Sequence, residues 1–150
     1  MRSILLVALA CAALVPAGAA FAQDDKAAEA APAEKGAVVG QPPEGKGQVV
    51  FFRPMKLGGA AVSYKVREEG KELGLLSNGH YFVVPTDPGP HAYVVHSEVK
   101  DVLNLEVEPG ETYYVRGSVE IGIMAGRPNI TPVTKADFDK VAAKLKPPKD

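Results

Sequence analysis

VVFFRP at residues 49–54, followed by VSYKVREEGKELGLLSNGHYFVVPTDPGPH at residues 62–91, fixes the architecture. Val49-Val50-Phe51-Phe52 is a continuous apolar run, the pattern of a strand covered on both faces. Pro54 closes it, because proline donates no ladder hydrogen bond. From Val62 the pattern changes. Val62, Tyr64 and Val66 alternate with Ser63, Lys65 and Arg67, a period of two with one wet face. Three turn signals divide the chain from there to His91. Glu69-Gly70 offers the positive φ of a tight hairpin, and Asn78-Gly79 is the strongest short-range hairpin signal in the chain. Asp87-Pro88-Gly89-Pro90 matches a type II turn. The segments 48–53, 62–67, 71–77, 80–86 and 91–99 therefore read as antiparallel strands joined by tight hairpins, with 55–61 as a flexible connection.

The pattern continues downstream. In 102–108, Leu103, Leu105 and Val107 alternate with Asn104, Glu106 and Glu108. Glu108-Pro109-Gly110-Glu111 repeats the type II logic. In 112–121, Tyr113, Val115, Gly117 and Val119 share one face, and Tyr114, Arg116, Ser118 and Glu120 the other. Asn129–Val133 can add a short eighth strand. Thr134 caps a helix, with Asp137 three residues on and Val133 and Phe138 at the positions of a hydrophobic staple. Phe138, Val141 and Leu145 form its apolar stripe, and Pro147-Pro148 ends it. The expected fold is all-β: an antiparallel β-sandwich of seven to eight short strands, transthyretin- or immunoglobulin-like, with a short C-terminal helix. The apolar, non-alternating segment Gly122–Gly126 is expected to tuck beneath that helix rather than stand exposed.

Upstream, the chain opens with a targeting pattern. Met1-Arg2 precedes an apolar run from Ile4 to Val15, Pro16 and Gly18 break it, and Ala20-Phe21-Ala22 has the small-x-small form of a cleavage site. Residues 1–22 thus read as a signal peptide with Gln23 as the mature N-terminus, and the chain as periplasmic or secreted. The run is too short to span a bilayer, and no transmembrane segment is expected beyond it. Cys11 is the only cysteine; the short apolar approach to it speaks against lipoprotein acylation. The mature chain then has no thiol and no disulfide. Residues 23–46, rich in Ala, Glu, Lys, Pro and Gly, read as a disordered linker. The folded domain is expected over 47–146, with 147–150 as a tail.

Charge excludes some partners. Removing Arg2 leaves sixteen Lys and Arg against eighteen Asp and Glu, a net charge of about −2 with the charges interspersed. That gives no footprint for nucleic acid and no polybasic stripe for anionic lipid. The chemistry-bearing residues do not assemble into a known centre. His91 and His96 fall on opposite faces of one strand and His80 comes just after a turn, so no zinc site is expected. No Gly-x-Ser-x-Gly element or phosphate-binding loop occurs, and no cofactor is implied. Glu68, Glu69 and Glu72 bracket one hairpin, where a solvated tip is the default and paired glycosidase acids the alternative. Alternation sends one ring of Tyr81-Phe82 and of Tyr113-Tyr114 to each face, so one ring of each pair is open to exposure.

Several blocks together resemble the bacterial family called domain of unknown function 2846. They are Val50–Pro54, Gly58–Ala61, Tyr64-x-Val66, Gly70-Lys71-x-x-Gly74-x-Leu76-x-Asn78-Gly79-x-Tyr81-Phe82, Pro88-Gly89-x-His91 and Gly110-x-Thr112-Tyr113-Tyr114-Val115. The resemblance runs from Gly47 to Val133, and the Gly-Lys to Tyr-Phe block is its most specific part. It implies small exported or lipoprotein-like envelope proteins and transfers no catalytic residue. The functional expectation is a non-catalytic interaction or accessory module of the cell envelope, meeting an envelope protein or cell-wall component. Arg53, Tyr81, Tyr114 and Arg116 are the first candidates for its surface. The alternatives are a sugar- or peptide-binding module using exposed tyrosines and a cell-wall hydrolase using Glu68, Glu69 or Glu72.

Overall fold

The structure is a computed structural model that describes residues 37–96, 100–121 and 126–148. The signal segment, Cys11, residues 23–36 of the linker, the stretch 122–125 and the last two residues of the tail lie outside the described residues.

Eight strands form two four-stranded sheets. They are β1 (Gly47–Phe52), β2 (Tyr64–Glu68), β3 (Lys71–Leu76), β4 (Tyr81–Thr86), β5 (Gly89–His96), β6 (Lys100–Val107), β7 (Thr112–Ile121) and β8 (Gly126–Val133), with the helix α1 (Lys135–Ala142) after them. One sheet has the order β4-β1-β7-β8 and the other β3-β2-β5-β6. The expected β-sandwich is the observed fold. Every pairing is antiparallel except β1 with β7, which is parallel.

β1 sits where its composition demands. All six of its residues are buried. Val49 and Phe51 face the other sheet and join the main core with Val66, Leu76, Phe82, Tyr93, Val95, Val115 and Ile130. Val50 and Phe52 face the opposite way, into a second core with Tyr81, Tyr114, Phe138 and Leu145. Phe138 of α1 meets Phe52 edge-on at 5.0 Å and Tyr114 at 4.9 Å. Fully burying a side chain of this size contributes about 1.5–3 kcal/mol, so a central strand buried on both faces is a large share of the stability.

Of the three turn signals between Val62 and His91, only Glu69-Gly70 closes a hairpin. Both residues there have positive φ, 48° and 83°, and β2 pairs directly with β3. The other two are corrected: Asn78-Gly79 and Asp87–Pro90 carry the chain from one sheet to the other, as does Glu108–Glu111. A glycine turn reverses the chain locally but does not choose the partner of the next strand. β4 pairs with β1 because the doubly apolar β1 must be flanked on both edges. The turn backbone already registers this: the Gly79 N–H donates to Arg53 O at 3.0 Å, and the Arg53 N–H to His80 O at 2.9 Å.

The helix cap is as the sequence implies. The Thr134 hydroxyl accepts from the Asp137 N–H at 3.3 Å. The helix stops at Ala142, short of Pro147. Leu145 is buried all the same, because the chain turns inward and the Lys146 N–H donates to Gly79 O at 2.9 Å. The last part of the segment read as linker also lies on the domain. The Ala37 N–H donates to Ala142 O at 2.7 Å, Ala37 and Val39 pack on the second core, and buried Gln48 donates to Gly40 O at 2.6 Å. Across the sandwich edge, the Ile130 N–H donates to the Asp101 carboxylate at 2.9 Å. This gives the outer strand β8 a side-chain acceptor where an added strand would otherwise pair. No helix among the described residues is long and apolar enough to cross a membrane.

Candidate functional site

The most unusual local structure lies just past β1. Pro54 ends the strand, and Arg53 turns inward to 3% exposure. Its guanidinium donates to Val62 O and, at 2.6 Å, to Gly59 O, and lies over the Tyr64 ring at 5.8 Å. Burial penalises the charged form and lowers its pKa, with the nearby Tyr64 opposing this. No carboxylate bridges to Arg53 among the described residues; the acceptors are the carbonyls of the connection itself. The connection expected to be flexible is thus hydrogen-bonded from within. It is braced from the side as well. The Asn78 amide accepts from the Lys56 N–H at 2.9 Å and donates to Lys56 O at 3.0 Å. Gly59 has φ +73°, and a Cβ there would stand 3.2 Å from Val119, so glycine suits both backbone and space.

This frame holds apolar side chains out in water. Leu57 is 99% exposed and Met55 60%, with exposed Lys56 between them. A single exposed leucine is ordinary, but two large apolar residues on a tip held by two independent braces form a presented feature.

The four candidates from the sequence divide unequally. Arg53 is interior, Tyr81 is 8% exposed and Tyr114 is 9% exposed. Tyr81 and Tyr114 belong to the core beneath α1, and the Tyr81 hydroxyl is held between the N–H and C=O of Val38 at 3.0 and 3.2 Å. Their assignment to an open surface is corrected: alternation does send them outward from the sheet, but the helix and residues 37–39 cover that face. Only Arg116 is exposed. The partners Phe82 and Tyr113 point into the main core. None of the five tyrosines is exposed, so a flat tyrosine platform for sugar or peptide is not formed.

The three acids do not converge. Glu72 pairs with Lys65 at 2.7 Å, Glu69 occupies the exposed turn, and Glu68 meets His91 Nδ1 at 2.5 Å. Glu68, Glu69, His91, Asn104 and Glu106 border a shallow depression of about 570 Å³ at the end of the sandwich away from Leu57. His91 Nε2 lies 2.7 Å from Asp87 O. Both ring nitrogens face acceptors, an arrangement that suits the doubly protonated ring. Burial lowers the His91 pKa, but the hydrogen bond to Glu68, the Asp87 carbonyl and the charges of Glu68 and Asp87 outweigh it, and the net direction is upward from 6.5. A raised folded-state pKa contributes stability in full below the unfolded value, lost as the pH rises through the folded value. Wild type is therefore expected to exceed His91→Gln by about 1 kcal/mol at mildly acidic pH, with the gap closing on the alkaline side of the ordinary histidine range. Urea midpoints for both proteins at about pH 5 and about pH 8.5 check this; a gap of equal size at both sinks it.

His80 is bound through Nδ1 to Asn78 O at 2.9 Å, and the described residues hold no group of three His, Cys, Asp or Glu that could bind a metal. The family model described as "Protein of unknown function (DUF2846)" matches residues 43–129, more than half of the chain. The chain belongs to that family. The match takes in every strand from β1 to the middle of β8 and with them the braced tip, and leaves α1 outside. No curated protein and no solved structure matches.

Proposed function

We propose, for this member of an uncharacterised family, an exported, non-catalytic interaction module of the cell envelope that docks through Met55-Lys56-Leu57. The observation that carries the reading is Leu57, 99% exposed on a connection pinned by Arg53 and Asn78. Bracing the backbone that carries an apolar side chain before contact lowers the ordering cost of binding. Most groups that attract a catalytic reading have structural partners: Glu68 with His91, Glu72 with Lys65, and Arg53 with two carbonyls. The signal-like segment 1–22 supports export.

The test is photo-crosslinking in cells from position 56, with the exposed helix position Ala136 as control. Envelope adducts are expected from position 56, reduced several-fold by Leu57→Asp, on a chain that begins at Gln23. Equal adducts from both positions, or none from position 56, defeat the reading.

A further inference from the structure

Charges interspersed along the sequence are sorted by the fold. β1 ends at Phe52, and Arg116 lies opposite it on β7. Lys100 lies opposite His96, Arg127 opposite Glu120, and Lys146 beside His80. These elements all meet at the end of the sandwich that carries the braced tip. Lys56, Lys100, Arg116, Arg127, Lys144 and Lys146 are exposed there, and none forms a salt bridge among the described residues. Among the described residues, the acids near them are Asp101, engaged by the Ile130 N–H, and Glu120. Among the described residues, the far end holds Glu68, Glu69, Asp87, Glu106, Glu108 and Glu111, against Lys71, Lys46 paired with Asp87, and Lys135 paired with Asp139. The folded domain is therefore bipolar, although the net charge of the chain is only −1.

We propose that the basic end seats on an anionic lipid surface, with Leu57 and Met55 entering the headgroup region and the surrounding Lys and Arg facing lipid phosphates. The proposal rests on the docking role of Met55-Lys56-Leu57 and names its partner. Charge complementarity carries it. Among the described residues, cations without a salt bridge surround an apolar point, while the larger group of acids lies at the opposite end and turns the molecule's field so that the tip leads. A bilayer rather than an acidic protein fits the tip. Leu57 stands free of its neighbours, and a headgroup layer accepts apolar side chains without a shaped socket. Surface attraction of this type combines apolar burial with cation–headgroup attraction, so losing either part weakens it.

Flotation of the chain purified from the envelope of cells that process it tests this, using vesicles of phosphatidylcholine alone or with about 30% phosphatidylglycerol. Binding at least tenfold stronger to the anionic vesicles is expected, and it should weaken as salt is added. Leu57→Glu is expected to reduce it about tenfold with the melting temperature unchanged, because the side chain supports nothing inside the fold. Lys146→Glu should weaken binding several-fold, and Glu108→Lys at the acidic end should not weaken it. Absence of binding, or binding indifferent to Leu57→Glu, overturns the proposal. If that result comes with protein adducts from position 56 in cells, the lipid partner is wrong and the docking reading stands. If adducts are missing too, both fail.

Discussion

Replacing Gly117 by valine is expected to prevent stable folding, and Gly117→Ala to cost about 3 kcal/mol. Gly117 lies on the inner face of β7, opposite Ile130 of β8. A Cβ built on it falls well under 3.0 Å from both the Tyr64 hydroxyl and Leu76 Cδ2. Neither neighbour can yield easily. Leu76 is fully buried, and Tyr64 is buried with its hydroxyl donating to Ser118 O at 3.3 Å. Moving the Tyr64 ring also disturbs the platform beneath Arg53. Small-to-large changes in a close-packed interior cost about 1–3 kcal/mol and at times more. The alanine variant should therefore melt roughly 10 °C below wild type. Thermal and urea unfolding of both variants check this. An alanine variant within about 2 °C of wild type would show that the core relaxes around the methyl group and would sink the expectation.

That glycine illustrates what was legible in the sequence. Its inward face followed from alternation with Val115 and Val119, but its near contact with a tyrosine hydroxyl depends on the second sheet and has no local signal. The same division runs through the fold. Val49–Phe52 announced a strand covered on both faces, and Thr134 with Asp137 announced a helix start, because both signals are local physical requirements. Which strands pair is not local. Asn78-Gly79 makes the expected turn, yet the strand after it leaves β3 for β1. The parallel pairing of β1 with β7 joins segments about sixty residues apart and leaves no pattern in either.

The candidate site was legible only in part. Alternation placed Tyr81 and Tyr114 on the outer face of their sheet, and they are there; what covers that face is α1, whose docking place the sequence does not encode locally. Nothing local marks Leu57 among the residues of a glycine-rich connection, because exposure cannot be read from residue type. The signals that could have raised it were Arg53, a charged residue directly after a doubly apolar strand, and Asn78, whose short amide side chain readily binds nearby backbone. The charge sorting was hidden for another reason. A polybasic stripe is a run in sequence, whereas the cations here come from several separate segments that the fold brings to one end.

Arg53→Ala is expected to destabilise the domain by about 3 kcal/mol, and Arg53→Met by about 1–2 kcal/mol. Both remove the guanidinium donors to Val62 O and Gly59 O, of which Gly59 O keeps the Val62 N–H, and the alanine variant also opens a void under the connection. Methionine fills most of that space and relieves the desolvation of a buried cation that no carboxylate neutralises among the described residues, which is why its cost should be smaller. The two variants share a local effect that the difference in global stability does not track. The turn bonds from the Ala60 N–H to Leu57 O, at 3.3 Å, and from the Val62 N–H to Gly59 O, at 3.0 Å, lie in the loop whose Gly59 and Val62 carbonyls the guanidinium binds. Hydrogen exchange at Ala60 and Val62 should accelerate in both variants, while amides of the central strand β1 accelerate only in proportion to the loss of global stability. If Arg53 presents the tip, vesicle binding should also fall in Arg53→Met under conditions where that variant remains fully folded, since Leu57 must then be ordered at the moment of contact. Unchanged exchange at Ala60 and Val62 in Arg53→Met would show that Asn78 alone sets the loop and would remove Arg53 from the presentation of Leu57.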